Sequence, residues 1–222
     1  MKFKFLILLA TYNRKKMVRD AIESVLSQDY ENFELAIVDD NSEWTIPESV
    51  RNHEKVSAVL TGDTDEDKKG YGNSRHGYFM NVFMDQTDAN ITFMLCDDDI
   101  LVPGYLSALN EYYNTHNVKY SYCHVRTFNP LNETAEEVGT RKNPFFTNRQ
   151  EAVNPAGSID ASQVSWFISE DRFPEIATRN LDMAIYGKLH LKYGACQFNG
   201  IDGQYKAVWP GQLGKTKYGF ES

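Results

Sequence analysis

Cysteine is scarce in this sequence: Cys96, Cys123 and Cys196 are its three thiols, and no two of them form a Cys-x-x-Cys pair. An odd, scattered set argues against a disulfide framework or a structural zinc site and points to a reducing compartment. Long apolar runs are missing too. None reaches the roughly 18 residues that a membrane helix needs. The apolar opening Phe3–Leu9 is shorter still and lacks a following small-residue cleavage site, so it does not read as a signal peptide. A cytoplasmic protein is expected, with no transmembrane span and at most peripheral membrane contact. Positive charge is the third shortage: 23 Lys and Arg face 31 Asp and Glu, for a formal net charge of −8. Nucleic-acid binding needs clustered cations, so no nucleic-acid partner is expected, although single basic residues remain to serve a diphosphate. His53, His76, His116, His124 and His190 show no close metal-ligand spacing. Internal repeats, low-complexity tracts and a clear linker are absent as well.

What is present is ordinary for a globular chain of 222 residues, with 41% hydrophobic and 24% charged residues. One domain over 1–222 is expected. The first half alternates strand and helix. Phe3–Leu9 is a near-continuous apolar run of the kind a buried parallel strand shows. Met17–Leu26 carries Val18, Ala21, Ile22 and Val25 at helical spacing. Strands are expected at Phe33–Val38, Val56–Leu60, Ile91–Leu95 and Tyr120–Val125. Helices are expected near Pro47–Asn52 and over Asn73–Phe83 and Gly104–Tyr113. This alternation predicts an α/β fold with a mostly parallel central sheet covered by helices on both faces. The second half is less regular. Leu131–Gly157 is polar and contains Pro144 and Pro155, as a long loop or lid would. Ala161–Ile168 returns to strand character, and Asp182–Tyr193 reads as a helix that Asn180 could cap.

In sheets of this kind ligands bind outside the carboxyl ends of the strands. Thr11-Tyr12-Asn13, Asp39-Asp40 and Asp97-Asp98-Asp99 each follow an expected strand directly, which predicts one crevice holding several carboxylates. Three adjacent carboxylates repel one another, and a hard divalent cation shared with substrate phosphates would offset that repulsion. The same letters could build a solvated acidic turn, but the Phe93-Met-Leu95 run delivers them to a sheet edge. A carboxylate in Asp39-Asp40-Asn41-Ser42 could accept the imide N–H of a uracil while Tyr12 packs on the base; these residue types also form plain turns. Arg75 offers a fork that matches phosphate oxygens. Asp182 opens its helix, where the dipole favours an ionised carboxylate and where a capping role would look the same.

Four segments together resemble family 2 of the glycosyltransferases, enzymes of the GT-A fold, a Rossmann-like architecture. They are Leu6-Ile-Leu-Leu-Ala-Thr-Tyr-Asn-Arg14, Ile22-Glu-Ser-Val-Leu-Ser-Gln28, Phe33-Glu-Leu-Ala-Ile-Val-Asp-Asp-Asn-Ser42 and Phe93-Met-Leu-Cys-Asp-Asp-Asp-Ile-Leu-Val-Pro103. The resemblance covers about the first 125 residues well and extends more weakly through Ile159–Val164 and Asp182–Gly194. It implies a nucleotide-sugar-binding half over 1–125 and a more irregular acceptor-binding and catalytic-base half over 126–222. It further implies nucleotide contacts from Thr11, Tyr12, Asn13, Asp40, Arg75 and Asp97, a Mn²⁺ or Mg²⁺ ion held by Asp98 and Asp99, and Asp182 as catalytic base. Cys96 stands where the family's first acidic residue usually stands. Leu181 replaces a Glu before the base, and Lys188 follows Asp182 at the family's interval. Glu170-Asp171 has the letters of the base motif without the helix pattern after it, and Trp209 falls near the position of a C-terminal histidine.

The resemblance thus implies transfer of a sugar, with inversion, from a nucleotide-sugar donor, UDP-linked by preference, to a carbohydrate or other hydroxyl-bearing acceptor. Two other readings stay open at this point. One is a nucleotide-sugar-binding module without catalysis, which the Leu181 and Trp209 departures favour. The other is a nucleotidyltransferase, against which stands the lack of a glycine-rich basic loop near the first strand.

Overall fold

The computed structural model describes residues 1–61, 74–128, 152–156, 159–174 and 181–207. The elements run β1 (Phe5–Thr11), α1 (Lys15–Leu26), β2 (Phe33–Asp39), α2 (Glu48–Arg51), β3 (Val56–Thr61), α3 (Ser74–Gln86), β4 (Ile91–Cys96), β5 (Asp99–Leu101), α4 (Tyr105–Thr115), β6 (Tyr120–Phe128), β7 (Val164–Phe167), α5 (Leu181–Tyr193) and β8 (Gln197–Ala207). The strands form one eight-stranded sheet in the order β3-β2-β1-β4-β7-β6-β8-β5. Strands β3, β2, β1 and β4 are parallel, β7 pairs antiparallel with both β4 and β6, and β8 runs parallel to β6. This is the mostly parallel α/β sheet that the alternation of strand and helix predicts, with the GT-A-like form that the resemblance implies.

The pleat of β1 explains why its apolar run is unbroken. Side chains of a strand alternate between the two faces, and here both faces are covered. Phe5, Ile7 and Leu9 join Val18 and Ile22 of α1 and Leu106 and Leu109 of α4 in one core. Leu6 and Leu8 join Met80 and Phe83 of α3 and Ile185 and Leu189 of α5 in the other. All five β1 residues are fully buried. Polar ties then fix the elements around the sheet edge. Gln28, just past α1, donates to Val102 O at 3.0 Å and accepts from Leu106 N at 3.2 Å, which pins the start of α4 beneath β5.

Two strands were not anticipated from sequence. β5 is three residues long and contains Asp99, which the run of acids disguised as part of a turn. β8 carries Gly200, Asp202, Gly203 and Lys206 and has mixed exposure, so neither alternation nor an apolar run marks it. Its existence depends on pairing with β6 and β5. β7 covers only Val164–Phe167 of the expected Ala161–Ile168 stretch, the first residues forming a turn instead. The expected loop over 131–157 lies outside the described residues except for 152–156, and Asn180 lies outside them too.

Candidate active site

The register of the sheet brings the polar strand ends together. Thr11 pairs with Asp39 across β1 and β2, and Ala10 pairs with Cys96 across β1 and β4. The segments that follow, Tyr12-Asn13, Asp40-Asn41 and Asp97-Asp98, therefore emerge side by side at the carboxyl edge. Asp40 N donates to Thr11 O at 2.9 Å. Asn13 and Asn41 are the non-glycine residues with positive φ among those described, at +53° and +59°. Asn tolerates this left-handed conformation better than most residues because its short polar side chain bonds locally. Asn13 does so across the two loops. Its backbone N–H donates to Ser42 Oγ at 2.8 Å, and its side-chain Oδ1 accepts from Glu43 N at 2.8 Å. Ser42 Oγ in turn donates to Asp39 Oδ1 at 2.6 Å. Asn13, expected as a nucleotide contact, thus commits its side-chain oxygen to bracing the loops.

Asp97 and Asp98 sit in the turn after β4 with side chains 9% and 7% exposed. Thr11 Oγ1 donates to Asp97 Oδ2 at 2.9 Å. One nitrogen of Arg14, Nη1, donates to Asp97 Oδ1 at 3.0 Å and to Asp98 Oδ2 at 2.8 Å. Burial pushes the Asp97 carboxyl above its usual range, against the opposing pull of Arg14 and of the Thr11 hydroxyl. Two carboxylate oxygens converging on one cationic nitrogen form a place that accepts a cation, and hard oxygen donors of this kind suit Mg²⁺ or Mn²⁺. The residues present therefore fit a divalent ion.

Asp99, expected beside Asp98 as a metal ligand, is turned away from this pair. It opens β5, and its side chain is fully buried behind the crevice, accepting from Ser162 Oγ at 2.6 Å. Lys206, opposite Asp99 in the β5–β8 register, places its ammonium 3.6 Å from Asp99 and 3.0 Å from Asp160. Cys96, Asp99 and Asp160 present ligand atoms within 4.8 Å of one another. One ammonium already serves both carboxylates there. Burial pushes the Asp99 carboxyl up to about 7 despite Lys206.

The crevice in front of Asp97 and Asp98 has a volume of about 490 Å³ and is lined by Tyr12, Arg14, His76, Asp182 and Lys206 among others. The structure thus gathers Thr11, Tyr12, Asp97, Asp98 and Asp182 around one space. Asp40 lies at its β2 side, 3.8 Å from His76 Nε2. Asp182 is on the first turn of α5. Burial pushes its carboxyl above the usual range against the pull of the Met183 amide, and the Asp160 charge adds to the push. Leu181 beside it is 9% exposed and packs in the α3–α5 core. That packing needs Gly77 on α3: a Cβ there would lie 2.8 Å from Leu181 Cδ2 and 3.1 Å from Phe173 Cβ.

The rival base is placed elsewhere. Asp171 accepts from Ser169 Oγ and Lys192 Nζ, at 2.7 and 3.1 Å, and does not line the crevice. Partial burial raises its pKa, but those two bonds win and hold it below the usual range. Lys188 is exposed and donates to Arg172 O at 2.8 Å. Arg75 stands on the first turn of α3, and its side chain lies outside the described residues, as does Trp209. Three crevice residues were missed in the sequence. Arg14 was legible as the basic residue closing Thr11-Tyr-Asn-Arg14. His76 was one of five unremarkable histidines, and Lys206 lay on a strand that had no sequence signal.

The chain has relatives among known proteins. A β-1,3-glucosyltransferase of Campylobacter jejuni, named for a GalNAc(5)-diNAcBac-PP-undecaprenol acceptor, is 30% identical over 124 residues, 55% of this chain and 37% of its own. The uncharacterized glycosyltransferase YwdF of Bacillus subtilis is 24% identical over 138 residues, 62% of this chain and 48% of its own. The chain thus spans less than half the length of these curated relatives. Among solved structures, S. aureus TarS 1-349 in complex with UDP-GlcNAc superposes over 99% of this chain and 62% of its own, with TM-score 0.69 and 18% identity. The mannosyltransferase PcManGT of Pyrobaculum calidifontis, in complex with GDP-Man and Mn²⁺, does so over 96% of this chain and 59% of its own, with TM-score 0.65 and 14% identity. At these identities the structural likeness speaks for the GT-A fold. The model of the family described as glycosyl transferase family 2 matches residues 6–176, well over half of the sequence, and the chain belongs to that family.

Proposed function

We propose that this chain is a metal-dependent, inverting glycosyltransferase that moves a sugar from a nucleoside-diphosphate donor, UDP-linked by preference, to an acceptor hydroxyl. The observation that carries the reading is the placement of Asp97, Asp98 and Asp182 on the walls of one crevice. Residues 1–125 hold the donor in this reading, and 126–222 bring the base and the acceptor surface. Tyr12, 47% exposed, offers its ring face to the base of the nucleotide. Asp40 accepts the imide N–H of uracil. Thr11 holds Asp97 in place through its hydroxyl, and Asp97 with Asp98 forms the cation-binding pair. Asp99 acts from behind, as a buried partner of Lys206 and Ser162 rather than as a ligand. A Mn²⁺ or Mg²⁺ ion between Asp97 and Asp98 would stabilise the charge growing on the departing diphosphate as a Lewis acid.

Asp182 takes the acceptor's hydroxyl proton while the acceptor oxygen bonds to the anomeric carbon and the bond from that carbon to the diphosphate breaks. Its partial burial supports the role, because a desolvated carboxylate is a better proton acceptor than a solvated one. The UDP-GlcNAc and GDP-Man carried by the structural neighbours, and the Mn²⁺ of the second, support the donor class and the metal. Incubating the protein with a panel of UDP- and GDP-sugars and following nucleotide release with Mn²⁺ or EDTA tests the reading. Release that requires the metal is expected. Tight donor binding with no turnover on any acceptor would favour a binding module instead.

A further inference from the structure

Arg14 is placed where a helix usually carries a different residue. It is the N-cap of α1, a position that favours Ser, Thr, Asp or Asn, and it makes no capping hydrogen bond. Its side chain turns instead to Asp97 and Asp98, and a single nitrogen serves both carboxylates at 3.0 and 2.8 Å. A local preference given up in this way is a mark of a functional position. The two carboxylates are nearly buried while the Arg14 side chain is 44% exposed, so the arginine is the component with freedom to move. Buried carboxylates do not stay ionised without a counter-charge. The nitrogen of Arg14 supplies it from the spot where the pair would grip a divalent ion, and the two cations cannot occupy that spot together.

We propose that Arg14 is the resident counter-cation of the Asp97–Asp98 pair and exchanges partners when donor binds, leaving the carboxylates for a donor phosphate as a divalent cation takes its place. The inference rests on the proposed function of the crevice and adds an order of assembly to it. The guanidinium fork matches phosphate oxygens as well as carboxylates, so the exchange replaces one pair of charge-assisted bonds with another. The N-terminus of α1, where Arg14 sits, also favours an anion. The consequence is positive coupling. Metal alone must displace Arg14 into water and binds weakly, whereas nucleoside diphosphate gives Arg14 a new partner. Coupling between two ligands of this kind typically amounts to about 5- to 150-fold in affinity.

Calorimetric titration of Mn²⁺ into the full chain, with and without UDP, tests this on the wild type and on Arg14→Gln, which keeps much of the length and removes the charge. In the wild type UDP should tighten Mn²⁺ binding by about 5- to 150-fold. Arg14→Gln should bind Mn²⁺ alone on the order of tenfold more tightly than the wild type, with a smaller gain from UDP. Equal or weaker Mn²⁺ binding by folded Arg14→Gln would overturn the inference. A melting curve shows whether that variant is folded, and Asp98→Asn decides if it is not. Removing one of the two carboxylates frees Arg14, so Asp98→Asn should bind UDP in EDTA more tightly than the wild type does; equal or weaker binding overturns the exchange. Coupling of Mn²⁺ and UDP in the wild type that folded Arg14→Gln keeps in full sinks this inference alone. A wild type that binds neither sinks the reading of the crevice and the inference with it.

Discussion

Asp182 on the first turn of α5 has two possible employments, and one substitution separates them. As a first-turn acid serving only the helix dipole it would be replaced by Asn at a cost of no more than about 1 kcal/mol and without effect on the rate. As a base it could not, because the amide does not accept the acceptor's proton. Asp182→Asn should therefore lose about 10²- to 10⁴-fold in transfer rate at saturating donor, with an unchanged melting temperature. Transfer at near wild-type rate by this variant contradicts the assignment. The sign of the pH dependence follows from the raised pKa. A base works deprotonated, so the rate should fall as pH drops through a value above the ordinary 3.8 of an Asp, and Asp182→Asn should lack that acid limb. Asp40 tests the donor end. Asp40→Ala leaves a bound uracil donor unpaired, at a cost of about 1 to 3 kcal/mol, and should weaken UDP binding while leaving turnover at saturating donor close to normal. A large fall in that turnover with unchanged UDP affinity would exclude the contact.

At the scale of elements, the position of α5 against α3 sets where Asp182 points. Gly77 permits the close approach, with a virtual Cβ 2.8 Å from Leu181 Cδ2 and 3.1 Å from Phe173 Cβ. Gly77→Ala gains about 1 kcal/mol of helix propensity and incurs an overpacking cost of about 1 to 3 kcal/mol. The expected outcome is a small drop in melting temperature and a several-fold loss of turnover with UDP affinity intact, measured by thermal melts and steady-state rates. Wild-type turnover would show that Leu181 yields without moving its neighbour. The elements of the parallel half of the sheet were legible because their burial is written as composition: Phe5–Leu9 is apolar at every position since both faces of β1 are covered. β5 and β8 were not legible, because a strand that depends on pairing at a sheet edge needs no pattern of its own. The strand position of Asp99 was hidden for the same reason. In sequence it continues Asp97-Asp98, but once β5 begins, pairing with β8 turns its side chain behind the crevice toward Ser162 and Lys206.

For the molecule as a whole, part of the acidic balance gathers at the crevice. Asp97, Asp98, Asp99, Asp160 and Asp182 lie in or just behind one crevice, and among the described residues Arg14 and Lys206 are cations placed among them. Of the carboxylates sharing Lys206, Asp99 is fully buried, and burial lifts its pKa from 3.8 to about 7. A carboxyl raised in the native state keeps a proton that the unfolded chain has already released. Its contribution to stability is therefore full below about 4 and is lost as pH rises to about 7. Asp99→Asn keeps the neutral shape throughout, so its melting temperature relative to the wild type should climb from pH 4 to pH 7. A difference that stays constant or shrinks over that range would show Asp99 ionised across it.

In the proposed function one crevice divides its work, with Asp98 on the metal and donor side and Asp182 on the acceptor side. Calorimetric titration of UDP in the presence of Mn²⁺ tests this division directly when run on the wild type, Asp98→Asn and Asp182→Asn. This division predicts wild-type UDP affinity in Asp182→Asn and a loss of the Mn²⁺-dependent part of that affinity in Asp98→Asn. Equal losses in both variants, or full Mn²⁺-dependent affinity in Asp98→Asn, would contradict it.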